Sequence, residues 1–191
     1  MLSYENRCKL MEIARSTVEA AVKGQEIPDI ECETEELQGK QGAFVTLKTD
    51  GQLRGCIGRF VADKQLWKIV KAMAVAAATQ DPRFRGNRIQ PDELDRLNIE
   101  ISVLSPLKKT DNPLGIELGK HGIYIRRGMR TGCFLPQVAT ETGWSKEQFL
   151  GHCCAHKAGL PQDAWKEDET EVYVFTAEVF SEKELERGAG S

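Results

Sequence analysis

A cysteine set between two glycines, Gly55-Cys56-Ile57-Gly58, with Arg54 just before it, is the stretch of this chain best equipped for chemistry. A thiol acts as nucleophile or metal ligand in its thiolate form, and a neighbouring cation favours that form. On a regular strand Arg54 and Cys56 share a face, because side chains alternate with a period of two. Glycines inside a strand weaken it and mark a bulge or a close backbone approach, which makes Gly55 and Gly58 candidate ligand-binding positions. Cysteine chemistry also needs a base or cation within hydrogen-bonding reach. His121, opening a later β-rich run, is the candidate, so the catalytic set is Cys56, Arg54 and His121. The same residues also fit a small buried cysteine in a tightly packed strand, a common place for free thiols.

A second cluster is Asp81-Pro82-Arg83-Phe84, followed by Arg85 and Arg88. One reading is a structural network in which Asp81 bonds nearby backbone. The other is an anion-binding rim near Cys56, with Asp81 and Arg83 as ligand-binding residues. A third constellation is His152-Cys153-Cys154-Ala155-His156. Two histidines four apart share a helix face and can hold zinc, but the glutamate of an HExxH site is missing and no third ligand is signposted. Packing cysteines between surface histidines is the better account, and no metal is assigned. There is no GxxxxGK[ST] and no GxGxxG, so no phosphate loop is indicated and no cofactor can be named. Six cysteines without any CxxC spacing, in a chain whose polar start is unlike a signal peptide, read as free thiols.

The elements that must position these groups are legible in outline. Ser3 to Lys23 carries apolar residues at three- and four-residue steps, the pattern of an amphipathic helix, with Gly24 as a stop. An acidic run with Glu31, Glu33, Glu35 and Glu36 follows, as a solvated connection. Ala43–Thr49 and Gln52–Gly58 flank Asp50-Gly51, a strong hairpin signal. Asp63 is placed to cap a helix over Leu66–Ala78 that Asp81-Pro82 ends. Leu97–Leu104 alternates Leu97, Ile99, Ile101 and Val103 against Asn98, Glu100, Ser102 and Leu104, a half-buried strand whose Glu100 faces solvent or a cleft.

Residues 121–125 and 131–135 form a second hairpin. Pro136 begins a short helix, and Ser145 with Gln148 is a capping box for another that reaches about Lys157 and stops at Gly159. Val172–Phe180 is apolar on both faces and reads as one central strand, and the polar tail 182–191 is expected to fray. Strands and helices mix without a βαβ rhythm, so the expected class is α+β, a mostly antiparallel sheet flanked by helices. No linker divides residues 1–191, which read as a single domain.

Composition narrows the function classes. With 191 residues, 40% hydrophobic and 29% charged, the chain has an ordinary globular make-up. A net charge of -3 and a pI near 5.7 argue against nucleic-acid binding despite the arginines at 83–88 and 126–130. No apolar run is long enough to span a membrane, and a cytoplasmic location is expected.

The hexapeptide Leu53-Arg54-Gly55-Cys56-Ile57-Gly58 resembles the signature of the AMMECR domain family, also called AmmeMemoRadiSam system protein A. The resemblance runs through 42–47, Asp81-Pro82-Arg83-Phe84, 99–105, His121-Gly122, Phe134-Leu135-Pro136-Gln137, 157–160 and 175–180, in order, over nearly the whole chain. It implies one AMMECR domain with a larger and a smaller lobe and the hexapeptide near the cleft between them. The family name further implies genomic company with a MEMO-type protein and a radical SAM protein as possible partners. Three functional readings follow: a ligand-binding or catalytic site using Cys56 on a small molecule, a non-catalytic accessory protein, and, disfavoured by charge, a nucleic-acid-associated regulator.

Overall fold

The computed structural model describes residues 1–32, 34–60 and 63–188. Its elements, in chain order, are α1 (Tyr4–Val22), α2 (Glu35–Gln38), β1 (Ala43–Thr49), β2 (Gln52–Arg59), α3 (Leu66–Thr79) and β3 (Leu97–Leu104). There follow β4 (Lys108–Lys109), β5 (Gly122–Arg127), β6 (Arg130–Phe134), α4 (Pro136–Thr142), α5 (Lys146–His152), β7 (Glu171–Phe175), β8 (Ala177–Ser181) and α6 (Glu182–Gly188). The chain forms two compact units, a larger one of Met1–Val103 with Glu178–Ser191 and a smaller one of Leu104–Ala177. Each holds a four-stranded sheet, ordered β2-β1-β3-β8 in the larger and β4-β7-β5-β6 in the smaller, and the fold is α+β. Among the described residues no helix is long and apolar enough to cross a membrane.

In the larger unit Asp50 and Gly51 both take positive φ, 51° and 81°, as a two-residue hairpin that matches strand twist requires. The alternation of β1 sends Ala43, Val45 and Leu47 inward, and that of β3 sends Leu97, Ile99, Ile101 and Val103 to the same side. There they meet Leu10, Ile13 and Val18 of α1 and the alanine-rich face of α3. Small residues on α3 have a specific use. A Cβ on Gly55 would fall 2.1 Å from the Ala77 carbonyl oxygen, so β2 and α3 approach as closely as their backbones allow. Opposite the helices the sheet shows its second face, carrying Phe44, Thr46, Lys48, Cys56, Glu100 and Ser102 by register.

Three expectations about elements are corrected. The N-cap position of α3 is Gln65, which makes no side-chain cap bond, while Asp63 instead pairs with Arg59 at 3.1 Å. Residues 182–188 form α6 rather than a frayed tail, because Glu182 accepts from Arg15 Nε at 2.7 Å and from the Ile99 N–H at 2.8 Å, which docks the helix on the core. Residues 189–191, like Glu33 of the acidic run, lie outside the described residues. Val172–Phe180 is two strands, not one: Thr176 separates β7 from β8, and each joins a different sheet. Its two apolar faces come from serving two sheets in turn.

The smaller unit packs Ile123, Ile125, Phe134 and Val172 against Phe149, Leu150, Cys153 and Cys154. The predicted capping box forms, with the Ser145 hydroxyl accepting from the Gln148 N–H and the Gln148 side chain accepting from the Ser145 N–H. The helix does not run on to Lys157 as a regular α-helix, since residues Cys153–Ala158 widen into a π turn that Gly159 closes at φ 64°. A Cβ on Gly132 would come within 2.6 Å of the Ala158 nitrogen, so this turn fits around a strand glycine.

Candidate functional site

The site grows out of a bulge in β2. Leu47 pairs with Gly55 and Lys48 with Leu53, which leaves Arg54 as the extra residue and breaks the regular alternation between Arg54 and Cys56. Arg54 is committed elsewhere: its Nε and Nη2 each donate to Glu93 at 2.9 Å, and Nη1 donates to the Asn87 carbonyl at 3.1 Å. The Arg54 guanidinium in turn holds the Glu93 carboxyl below its usual range. This buttress ties the bulge to the turn that precedes β3.

Cys56 itself is fixed through its backbone on both sides. Its N–H donates to Asp81 Oδ2 at 2.9 Å, and its carbonyl accepts from Arg83 Nη2 at 3.1 Å. Arg83 also grips Asp81 directly, Nη2 to Oδ2 at 2.6 Å and Nε to Oδ1 at 3.0 Å. Pro82 starts a short 3-10 turn in which Asp81 caps the Arg83 N–H at 3.1 Å, so a tetrapeptide forms the whole clamp. The Asp81 side chain is 2% exposed. Burial pushes its carboxyl up, but the Arg83 guanidinium and the N–H groups of Cys56 and Arg83 outweigh this and hold it below its ordinary value. Asp81 thus bonds nearby backbone, and that backbone belongs to Cys56. Arg85 and Arg88 are exposed and take no ion-pair partner among the described residues.

The thiol lies on the face away from the helices, half-buried, and accepts from the Thr46 hydroxyl at 3.2 Å. Thr46 stands directly between Cys56 on β2 and Glu100 on β3. Glu100 accepts from Lys48 Nζ at 3.4 Å. Next in register is the row Gly58, Phe44 and Ser102. A Cβ on Gly58 would lie 2.2 Å from the Phe44 ring, so glycine there makes room for the aromatic side chain. Ser102 is 1% exposed, and its hydroxyl has no hydrogen-bond partner among the described residues.

The structure therefore brings together Cys56, Gly55, Gly58, Asp81 and Arg83, with Arg54 as a buttress. His121 belongs to the smaller unit, where its Nδ1 accepts from the Glu117 N–H at 3.0 Å, leaving Nε2 for any other partner. Thr46, Lys48 and Ser102 were missed by sequence reasoning. The signal that finds them is the hairpin register, because residues facing Cys56 across β1 and β3 follow from pairing about Asp50-Gly51.

The remaining constellation is packing. Cys153 and Cys154 are fully buried. Burial pushes the Cys153 thiol far up and the Cys154 thiol up to about 11, against their reactivity. The His152 and His156 rings stack 5.2 Å apart, and His152 also lies 4.3 Å from the Trp144 ring. Among the described residues no group of three or more His, Cys, Asp or Glu could hold a metal.

These features define a two-unit α+β protein whose larger unit presents a clamped cysteine strand. The AMMECR1 family model matches residues 11–180. A protein of Nanoarchaeum equitans is 47% identical over 91% of this chain and 98% of its own, and one of Methanopyrus kandleri is 46% identical over 97% and 92%. The crystal structure of an uncharacterized protein from Pyrococcus horikoshii superposes with a TM-score of 0.83 at 37% identity, covering 93% of this chain and 92% of the other. This chain belongs to the AMMECR1 family.

Proposed function

We propose that the protein works through a small-molecule site on the Leu53–Gly58 strand in which Cys56 is the reactive group. The observation that carries this is the clamp: a buried carboxylate and its arginine hold the two peptide groups of one half-buried cysteine. Burying a charge costs several kcal/mol before pairing repays it, and a packing cysteine needs no such support. The rest of the site has matching roles. Thr46 donates to the sulfur, which orients it. Arg54, through Glu93, holds the bulge that sets the position of Cys56 on the strand. Gly55 lets α3 back the strand at contact distance, so the sulfur sits on a rigid support.

The test is Cys56→Ser in the full chain. A reactive-site cysteine predicts a melting temperature within about 2 °C of the parent, as for a substitution outside the packed core. A loss of 8 °C or more (about 2–4 kcal/mol at this size) would mark Cys56 as a packing residue and remove the basis of this reading.

A further inference from the structure

The site proposed above extends along one row, and the row has a polarity. Cys56, Thr46 and Glu100 face each other across β2, β1 and β3. Strands lie about 5 Å apart, so roughly 10 Å separates the first and last Cα atoms. Thr46 is short and its hydroxyl is already directed at Cys56. At the far end Glu100 is under-supplied with donors. Its side chain is 20% exposed, and the bond it accepts among the described residues is one long contact from Lys48, 3.4 Å. A carboxylate has about four lone-pair sites. The other two ion pairs beside Cys56 are tighter, Asp81–Arg83 at 2.6 Å and Glu93–Arg54 at 2.9 Å, and each is multiply bonded.

Beside the row lies Ser102, 1% exposed, with its hydroxyl unpartnered among the described residues. A buried polar atom without a partner costs about 1–3 kcal/mol and calls for an explanation. The face opposite the core of an antiparallel sheet is ordinarily solvated, yet here Thr46 and Ser102 are both buried polar residues. A sulfur, two hydroxyls and an under-bonded carboxylate thus lie on one strip, and the carboxylate is its charged acceptor.

We propose that Glu100 is the recognition residue of the Cys56 site, and that the ligand is a small molecule carrying a primary amine or similar cationic donor, which Glu100 takes in place of Lys48 while Cys56 meets the ligand's thiol-reactive centre. This rests on the Cys56 site being real, and the experiment separates the two claims.

Native protein is treated with aminoethyl methanethiosulfonate or sulfonatoethyl methanethiosulfonate, and the rate of modification at Cys56 is followed by peptide mass analysis. In either case the Cys56 sulfur attacks the sulfenyl sulfur, an S–S bond forms and methanesulfinate leaves. The reagents differ in the charge at the end of a two-carbon arm. Salt at 0.5 M, with a screening length of about 4 Å, suppresses distant charges. The cationic-to-anionic rate ratio is expected to fall about fivefold in Glu100→Gln, the effect of one partly exposed ion pair. It is expected to rise in Lys48→Met, which frees the carboxylate. It should stay unchanged in Asp50→Asn, a carboxylate in the hairpin turn that pairs with Arg96. A Glu100→Gln ratio no different from that of Asp50→Asn, or a fall in Lys48→Met, overturns the assignment of Glu100 while Cys56 reactivity stands. No reaction of native Cys56 with either reagent overturns the site and this inference together.

Discussion

Gly-Cys occurs twice in this chain, and the two units build differently on it. Gly55-Cys56 lies on β2 and Gly132-Cys133 on β6, and in each pair the glycine faces helical backbone, the Ala77 carbonyl in one and the Ala158 nitrogen in the other. So far the devices are alike: an absent side chain lets strand and helix meet, and the cysteine falls on the opposite face. The rows then diverge. Cys56 continues into Thr46 and Glu100, whereas Cys133 continues into Tyr124 and Tyr173, whose rings meet edge to face at 6.1 Å. Cys56 has in addition a buried carboxylate, Asp81, bound to its own backbone N–H. The Gly-Cys step is a packing solution, and the chemistry comes from what the register and the Asp81 clamp add to it.

Substitutions that break this parallel rank by what must move. Gly55→Ala places a methyl group 2.1 Å from a backbone oxygen, so α3 or β2 has to shift, and about 3 kcal/mol or more of stability is expected to go. Denaturant unfolding gives the figure, and a cost under 1 kcal/mol would mean the strand and helix are not locked together. Next comes Asp81→Asn. It weakens the clamp and is expected to cost about 2–3 kcal/mol at pH 7, moderated because Arg83 is 52% exposed. Its pH signature is specific. The native Asp81 carboxyl is held below its unfolded value, so its contribution is complete above about pH 4 and disappears as pH falls through the lowered native value. The gap between parent and variant should therefore close below pH 4, and a gap constant down to about pH 2 would show that Asp81 is not the titrating support. Smallest is Gly132→Ala, at about 2 kcal/mol, since its nearest obstacle, the Ala158 nitrogen, lies at 2.6 Å, farther than the 2.1 Å contact at Gly55. That variant should leave Cys56 reactivity as it was, and a change there would mean the two Gly-Cys devices are not independent.

Much of this was legible beforehand for definite reasons. Asp50-Gly51 announced the hairpin, and Ser145 with Gln148 announced a helix start, because both signals are local and chemically specific. The family signature drew attention to Cys56, Asp81 and Arg83. What a linear reading could not supply was the bulge at Arg54, which alternation on a perfect strand conceals, so Arg54 was matched with the thiol when its guanidinium goes to Glu93. Nor did Val172–Phe180 disclose that one apolar run feeds two sheets, since period-two alternation is the same whichever sheet receives it. α6 hid behind polar composition because its anchor, Glu182 on Arg15, joins residues far apart in the chain.

The central claim is that Cys56 is a supported, reachable thiol and not filler. The direct measurement is the rate of iodoacetamide labelling of each of the six cysteines in the native protein, resolved by peptide. The account predicts that Cys56 labels in the folded state, that Cys153 and Cys154 label only on unfolding, and that Thr46→Val changes the Cys56 rate without unfolding the chain. Labelling of Cys56 only together with Cys153 and Cys154, at the global unfolding rate, would contradict it.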